Sequence, residues 1–298
     1  MATDFRKDGD GEMTGFDIAI DALAALSLGA WGFLVAPKRA SKAQAAPFVG
    51  RTYAHRGLYA ADQSVPENSL PAFMRAAEAG YGIELDVQRT LDGRIVVFHD
   101  DDMRRACGLE KRVCELTYAE LCRIPLFSGA ERIPLFSDVL AAVAGCVPLI
   151  VELKYCAEWE TLCRDTLALL RQAGGDWCVE SFHPRIVRWF YKNAPEVLRG
   201  QLSEAYRFSR RFLPWHTALM MSRLWTNCLT RPHFVAYRIG PRGLSERLCE
   251  LLGAVRVRWT MRPADDTAAL LHGSDAVIFE HFPDGATPPT RFCPPRKR

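Results

Sequence analysis

Short runs rich in β-branched and aromatic residues alternate with helical stretches from Arg51 onward, and this alternation most limits what the chain can fold into. Alternating β and α segments are typical of a parallel sheet covered by helices. The sequence therefore predicts an α/β fold. The nine runs with strand character are residues 52–55, 82–88, 95–99, 148–154, 177–182, 198–203, 234–237, 255–260 and 276–280.

The second and third runs are too close together to be parallel neighbours. Only residues 89–94 separate them, whereas a parallel crossover needs about a dozen residues or more. The pair Asp92-Gly93 favours a hairpin at this point. Eight parallel strands then remain, which predicts a (β/α)8 TIM barrel with a β-hairpin inserted after the second strand. The alternative, an open doubly wound sheet, is typically accompanied by a GxGxxG turn, and the sequence contains none.

Composition excludes several other classes of protein. Of the 298 residues, 49% are hydrophobic and 24% are charged, which predicts a globular fold and not a disordered one. A net charge of +3 provides no dense basic face, so no nucleic-acid partner is expected. The ten cysteines form no CxxC pair, and several lie in apolar runs. They are therefore predicted to be free thiols in a reducing compartment.

The first fifty residues differ from the rest, because the mostly apolar segment 16–36 is followed by a basic linker. A helix of 21 residues would rise about 31 Å, close to the thickness of a hydrocarbon core. Segment 16–36 is therefore predicted to be a membrane anchor with the body on the cytoplasmic side, as the positive charges that follow it indicate. Asp17 and Asp21 oppose insertion, so a core-packing or interfacial helix on a soluble cytoplasmic protein is the alternative. The predicted organisation is a leader over residues 1–50, a barrel over 51–285 and a Pro/Arg-rich tail over 286–298.

Polar side chains gather at the carboxyl ends of the first predicted strands, the face on which TIM barrels carry their active sites. Glu84 and Asp86 are two residues apart on one strand, so both carboxylates point the same way. If the hairpin arms are equal, Asp86 lies opposite His99. Glu152 adds a third carboxylate from the next strand, and His55 ends the first. Three carboxylates suit a hard divalent cation, Ca²⁺ or Mg²⁺, better than zinc.

Two basic residues, Arg56 and Lys154, lie at the same rim of the predicted barrel. A metal, a guanidinium and an ammonium can hold a phosphate group there while two imidazoles move protons. This combination predicts phosphodiester cleavage. Taken singly, each motif has a structural explanation, since a Glu-x-Asp pair on a strand commonly faces solvent and Glu152 with Lys154 commonly forms a surface pair.

Six motifs in order resemble the glycerophosphodiester phosphodiesterase family. They are His-Arg-Gly at 55–57, Pro-Glu-Asn-Ser at 66–69, Glu-Leu-Asp-Val at 84–87, Asp-Gly at 92–93, Val-Phe-His-Asp at 97–100 and Glu-Leu-Lys at 152–154. The resemblance extends over about residues 53–283. It implies a TIM barrel that hydrolyses glycerophosphodiesters to glycerol 3-phosphate and an alcohol with the help of a divalent cation.

The resemblance also implies a role for each matched residue. The central set comprises His55 and His99 as the acid/base pair, Glu84, Asp86 and Glu152 as metal ligands, and Arg56 and Lys154 as the groups that hold the phosphate. A second set, expected to support the site or to line its pocket, comprises Glu67, Asn68, Phe182 and Trp259. For Trp259, a place in the core is an equal alternative. Asn68 or Ser69 is also expected to cap the helix that follows.

The chain departs from the family pattern at its last predicted strand. A Thr-Asp pair is usual there, whereas this sequence reads Ile-Phe-Glu-His at 278–281, a change expected to affect the outer pocket and not the metal centre. The apolar, arginine-containing stretch 208–229 is either an outer barrel helix or a lipid-facing helix. Two other functions remain open: a lysophospholipase D-like or cyclising phosphodiesterase that acts on lysophospholipids, and a catalytically silent lipid-binding barrel.

Overall fold

Nine strands form one closed sheet in the computed structural model, which describes residues 15–283 and 286–293 and the side chains from residue 23 onward. β1 pairs in parallel with both β2 and β9, so the eight parallel strands close into a barrel in the order β1-β2-β4-β5-β6-β7-β8-β9. The predicted (β/α)8 barrel is confirmed. The strands are β1 Arg51–His55, β2 Gly82–Arg89, β3 Ile95–Val97, β4 Leu149–Leu153, β5 Trp177–Ser181, β6 Arg199–Ser203, β7 Phe234–Arg238, β8 Val255–Met261 and β9 Ala276–Phe279.

Helices connect these strands and cover the barrel. Ser69 caps α3 by accepting a hydrogen bond from the backbone N–H of Ala72, which confirms one of the two predicted caps. Within the described residues the helices are α1 Gly15–Val35, α2 Lys42–Ala45, α3 Leu70–Glu78, α4 Arg104–Cys107, α5 Tyr118–Leu121, α6 Phe136–Val143, α7 Trp159–Ala173, α8 Pro184–Asn193, α9 Tyr206–Ser209, α10 Trp215–Ser222, α11 Asn227–Thr230, α12 Leu244–Leu251 and α13 Thr267–Gly273, with a 3₁₀ turn at Val113–Glu115.

The strands are buried on both faces, which produces two apolar layers. Leu85 and Leu153 face the surrounding helices, whereas Tyr53 and Phe234 fill the interior of the barrel. The ring of Phe234 lies so close to Gly200 that a Cβ at that position would be 2.0 Å from it. Glycine is therefore required on β6 for the aromatic ring to fit. This packing closes the floor of the barrel and leaves the carboxyl ends of the strands for polar side chains.

The predicted hairpin is present, but its register differs by one residue from the expected one. β2 and β3 pair antiparallel, and the backbone N–H of Phe98 donates to the carbonyl of Asp86. The prediction that Asp86 lies opposite His99 is therefore wrong. The reason is a turn with an odd number of residues: the Thr90 hydroxyl donates to the Asp92 carboxylate at 2.6 Å, which centres the turn on Asp92 and not on the peptide bond that follows it.

The apolar segment of the leader forms α1, close to the predicted bounds of 16–36. No helix in the described part of the chain is long and apolar enough to cross a membrane, so the predicted transmembrane anchor is not confirmed. The last turns of α1 pack on the barrel, as the core-packing alternative expected. Val35 is fully buried, and its carbonyl accepts a hydrogen bond from Asn227 at 3.1 Å. The Trp31 indole donates to the hydroxyl of Ser245 at 3.1 Å.

Part of the predicted C-terminal tail lies against the first strand. The backbone N–H of Thr52 donates to the carbonyl of Thr290, and the hydroxyl of Tyr81 donates to the carbonyl of Pro288. These bonds join the start of the tail to the barrel. Residues 1–14 of the predicted leader and residues 294–298 of the predicted tail lie outside the described residues.

Candidate active site

Four carboxylates point into the barrel near the carboxyl ends of its strands. Asp86, Glu152 and Glu180 are in register on β2, β4 and β5, and Glu84 lies two residues before Asp86 on the same face. All four side chains are buried. One oxygen each from Glu84, Asp86 and Glu152 lie within 4.8 Å of one another. The structure thus brings the three predicted metal ligands together in an acidic cluster that could hold a metal ion.

Lys154 and Arg56 neutralise the carboxylate cluster only in part. Burial and the neighbouring Asp86 raise the pKa of Glu84, and burial raises the pKa of Glu152 to about 7. Glu180, which belongs to none of the six motifs, has an Oε2 atom with no hydrogen-bond partner among the described residues. Buried oxygen ligands that lack countercharge are what a hard divalent cation stabilises. The residues present therefore fit a hard divalent cation.

Lys154 contacts the carboxylate cluster directly. Its Nζ atom lies 2.8 Å from Asp86 Oδ1 and 2.9 Å from Glu152 Oε1. Although burial opposes the charged form, Asp86 and Glu152 raise the pKa of Lys154, so the ammonium stays protonated. Its side chain does not line the main cavity of the described structure. Lys154 thus contacts two of the carboxylates, while its contact with the substrate phosphate stays a prediction.

Arg56 occupies the turn that follows β1. Its backbone has a φ of +55° and its N–H donates to Glu84 at 3.1 Å, while its guanidinium pairs with Glu67 at 2.6 Å. Gly57 also has a positive φ, and a Cβ there would lie 2.9 Å from Ala72. The His-Arg-Gly motif thus needs glycine so that the turn can approach α3 and present Arg56 to the cavity.

Glu67 and Asn68 form hydrogen bonds with other residues of the predicted site. Asn68 donates from Nδ2 to Asp86 Oδ2 at 2.9 Å, which orients that carboxylate. Glu67 accepts hydrogen bonds from both Arg56 and Arg105. Arg105 was not predicted as a site residue, because nothing in the spacing of residues 99–105 indicates that the first turn of α4 lies beside the site.

His99 reaches the cavity from the residues that follow β3. Its Nδ1 atom lies 2.8 Å from Asp100 Oδ1, and the guanidinium of Arg105 binds both oxygens of Asp100. Burial and the nearby ammonium of Lys154 lower the pKa of His99. The imidazole is therefore neutral near pH 7 and can accept a proton.

His55 has a matching environment at the end of β1. Its Nδ1 atom lies 2.5 Å from Glu280 Oε2, and its Nε2 atom lies 3.9 Å from Glu84 Oε2. Burial and Arg56 lower the pKa of His55, so this imidazole is also neutral near pH 7. The change at Glu280 was expected to affect the outer pocket and not the metal centre, and Glu280 lines the cavity and also contacts His55. The closure of β9 against β1 brings it onto the histidine.

A cavity of about 800 Å³ joins these groups at the carboxyl ends of the strands. His55, His99, Glu84 and Glu152 lie among its lining residues. An apolar wall formed by Phe182, Phe208, Phe212 and Trp259 also lines it. The Trp259 indole donates to the carbonyl of Ala236 at 3.0 Å, so this residue is anchored in the barrel and lines the cavity as well.

Residues 55–209 match the sequence profile of the Glycerophosphoryl diester phosphodiesterase family. The chain is also 32% identical over 238 residues to a glycerophosphodiester phosphodiesterase from Caldanaerobacter subterraneus subsp. tengcongensis, a match that covers 76% of this chain and 91% of that relative. The chain belongs to the glycerophosphodiester phosphodiesterase family. The resemblance inferred from the six motifs is confirmed.

Other relatives match this glycerophosphodiester phosphodiesterase family member over shorter segments. A glycerophosphodiester phosphodiesterase from Bacillus altitudinis is 40% identical over 100 residues, 31% of this chain and 40% of its own length. A human protein named Lysophospholipase D GDPD1 is 29% identical over 123 residues, 36% of this chain and 37% of its own length. These matches span less than half of either relative.

A solved structure shares the fold of this family member. The phosphodiesterase of Oleispira antarctica, determined in complex with the product sn-glycerol-3-phosphate, aligns with a TM-score of 0.61 and 21% sequence identity. The alignment covers 78% of this chain and 93% of that one. This structural similarity supports the closed barrel fold described above.

Proposed function

We propose that this chain hydrolyses glycerophosphodiesters to glycerol 3-phosphate and an alcohol with the help of a divalent cation. One observation carries the proposal: three carboxylates have oxygens within 4.8 Å of one another beside two histidines, each with a carboxylate on its Nδ1 atom. A silent lipid-binding barrel would not need either histidine–carboxylate pair. Membership of the family supports the same activity.

The chain's own residues divide the reaction between binding and proton transfer. Glu84, Asp86 and Glu152 would hold the cation, which supplies charge stabilisation for the phosphoryl oxygens when bound. Arg56 lines the cavity and can donate to the phosphate. Lys154 pairs with Asp86 and Glu152 and lowers the pKa of Asp86, which keeps that carboxylate ionised.

His55 and His99 provide the two proton transfers that hydrolysis requires. One neutral imidazole accepts a proton from the attacking water as the new bond to phosphorus forms. The other imidazole is neutral at rest near pH 7 and must take up a proton before it donates one to the alcohol oxygen as the bond from that oxygen to phosphorus breaks. Both side chains line the cavity, so both can reach a bound diester.

Turnover of a panel of glycerophosphodiesters tests this proposal. The full chain is incubated with glycerophosphocholine, glycerophosphoethanolamine or glycerophosphoinositol, and glycerol 3-phosphate and the free alcohol are quantified. We expect both products from at least one substrate, loss of turnover after chelation, and recovery on addition of Ca²⁺ or Mg²⁺. Undiminished turnover after complete metal removal would contradict the proposal. So would release of a phosphorylated alcohol with free glycerol, because the opposite phosphorus–oxygen bond would then have been cleaved.

The apolar wall of the cavity favours lysophospholipids as a second substrate class. Phe212 is 84% exposed although it lines the cavity, and Phe208 lies under the guanidinium of Arg238 at 4.2 Å from the ring centroid. The wall continues to Phe182 and Trp259, whose rings meet edge to face at 5.6 Å. An acyl chain on this surface would bury apolar area that a water-soluble diester leaves exposed. The similarity to a human lysophospholipase D supports this substrate class.

Substitution of Phe212 by serine separates the two substrate classes. Burial of a phenylalanine side chain is worth about 2 kcal/mol, so we expect kcat/KM for a long-chain lysophosphatidylcholine to fall about tenfold or more. The value for the best glycerophosphodiester should change less than about threefold. Leu251→Ser is the matched control, since Leu251 is 80% exposed and does not line this cavity. Equal losses for both substrates, or the same loss in the control, would contradict an acyl-binding role for the wall.

A further inference from the structure

We propose that Glu280 is a positioning residue for His55, and that Arg262 holds the Glu280 carboxylate in place for this role. The proposal deepens the proposed function and rests on it. Glu280 Oε2 lies 2.5 Å from His55 Nδ1, while Glu280 Oε1 accepts hydrogen bonds from Nε and Nη2 of Arg262 at 2.8 and 2.6 Å. Each carboxylate oxygen thus has its own partner, and the side chain is buried.

The closure of the barrel explains how these residues meet. Glu280 directly follows β9 and Arg262 directly follows β8, and the backbone N–H of Glu280 donates to the carbonyl of Met261 at 3.0 Å. β9 pairs on its other side with β1, which ends at His55. Three neighbouring strand ends therefore fix the relative positions of guanidinium, carboxylate and imidazole, and no loop has to move to complete the contact.

The contact determines which nitrogen of His55 carries the proton. Although burial opposes ionisation, His55 and Arg262 hold the pKa of Glu280 well below its usual range, so its carboxylate only accepts hydrogen bonds. In the neutral imidazole the hydrogen is consequently on Nδ1, and the lone pair is on Nε2. That Nε2 atom faces the metal-ligand side, 3.9 Å from Glu84 Oε2. His55 is thereby oriented to accept a proton at Nε2, and Glu280 stabilises the imidazolium that forms.

A role confined to stability explains the geometry less well. The Arg262 side chain is 58% exposed, and an ion pair with so exposed a guanidinium contributes little to folding. If the Glu280 carboxylate paired only with Arg262, it could lie at the surface beside the exposed guanidinium. Glu280 is instead turned inward, with its second oxygen on His55 and within 3.3 Å of the Tyr59 hydroxyl. The contact with His55 explains why the Glu280 side chain points inward.

Nitrogen NMR of the histidines tests the positioning without any substrate. The full chain is labelled with ¹⁵N-histidine, and the His55 signals are assigned by their loss in His55→Ala. We expect the Nδ1-protonated tautomer in the native chain and a shift towards the Nε2-protonated tautomer in Glu280→Ala. Asp100→Ala is the matched control, because it removes the equivalent carboxylate from His99 and should leave the His55 signals unchanged. A His55 tautomer that is the same in the native chain and in Glu280→Ala would overturn the proposal, even if the hydrolase activity is confirmed.

Kinetics of the same variants show whether the positioning affects turnover. We expect Glu280→Ala to lower kcat by about 10²-fold or more with KM changed less than about threefold, and Glu280→Gln, whose amide oxygen can still accept from Nδ1, to retain more activity. In a His55→Ala background, Glu280→Ala should cost less than about threefold. An equal loss in both backgrounds would show that Glu280 does not act through His55. Unchanged Ca²⁺ or Mg²⁺ binding in Glu280→Gln excludes misfolding as the cause of its lower activity. Absence of all hydrolysis in the native chain would refute the proposed function. The NMR result would still decide whether Glu280 positions His55.

Discussion

His55→Ala and His99→Ala are each expected to lower kcat for glycerophosphodiester hydrolysis by about 10³-fold. A positioned general acid or base contributes about 10²–10⁴-fold. Steady-state assays with the best substrate of the panel, at saturating Ca²⁺ or Mg²⁺, measure the effect. The double variant should lose little more than either single variant, because the two histidines act as one unit.

A matched histidine outside the site provides the control for this result. His272 is exposed on α13 and does not line the cavity, so His272→Ala should retain kcat within about threefold. If His55→Ala or His99→Ala also retains kcat within this range, the acid/base assignment fails for that residue. If the loss of kcat in the double variant equals the product of the two single losses, the two histidines do not act in a shared reaction step.

Loss of one carboxylate from the cluster is expected to have the second large effect. Glu84→Gln keeps the shape of the side chain but removes the charge, so divalent-cation affinity should fall about 100-fold or more and turnover with it. Titration calorimetry with Ca²⁺ and Mg²⁺ measures the affinity directly. Glu180→Gln is the control: Glu180 is also buried and in register with Glu152, but lies outside the group of oxygens within 4.8 Å of one another. An equal loss of affinity in Glu180→Gln would refute the assignment of three ligands.

The cation affinity should also depend on pH. Burial raises the pKa of Glu152 to about 7, so below that pH the carboxyl group must release a proton before it can act as a ligand. The affinity is therefore expected to be about tenfold weaker at pH 6 than at pH 8, with proton release on binding at the lower pH. Calorimetry in two buffers of different ionisation enthalpy counts the released protons. An affinity that does not change over this range would show that Glu152 is ionised throughout.

The fold follows closely from local sequence patterns. Each predicted strand coincides with an observed one to within two residues at either end, because strands buried on both faces stand out as short apolar runs. The hairpin register was not predictable in the same way. It depends on the hydrogen bond from the Thr90 hydroxyl to Asp92, and the dipeptide Asp92-Gly93 is compatible with turns of two and of three residues.

The candidate site was predictable where its residues belong to motifs and less so where they meet by closure of the barrel. The three clustered carboxylates lie on two neighbouring strands, so alternation along the strand already places them together. Glu280 and His55 are 225 positions apart, and only the pairing of β9 with β1 makes them neighbours. Glu180 was missed for another reason, since a single acidic residue in an apolar strand gives no signal of its own.

The seam between β1 and β9 means that the site is completed in two stages as the polypeptide is made. All three clustered carboxylates have been synthesised once β4 has left the ribosome, whereas the carboxylate that contacts His55 follows β9, about 130 residues later. A nascent chain that ends before β9 has no carboxylate partner for the first histidine. Orientation of the first histidine is therefore coupled to the joining of the first and last strands.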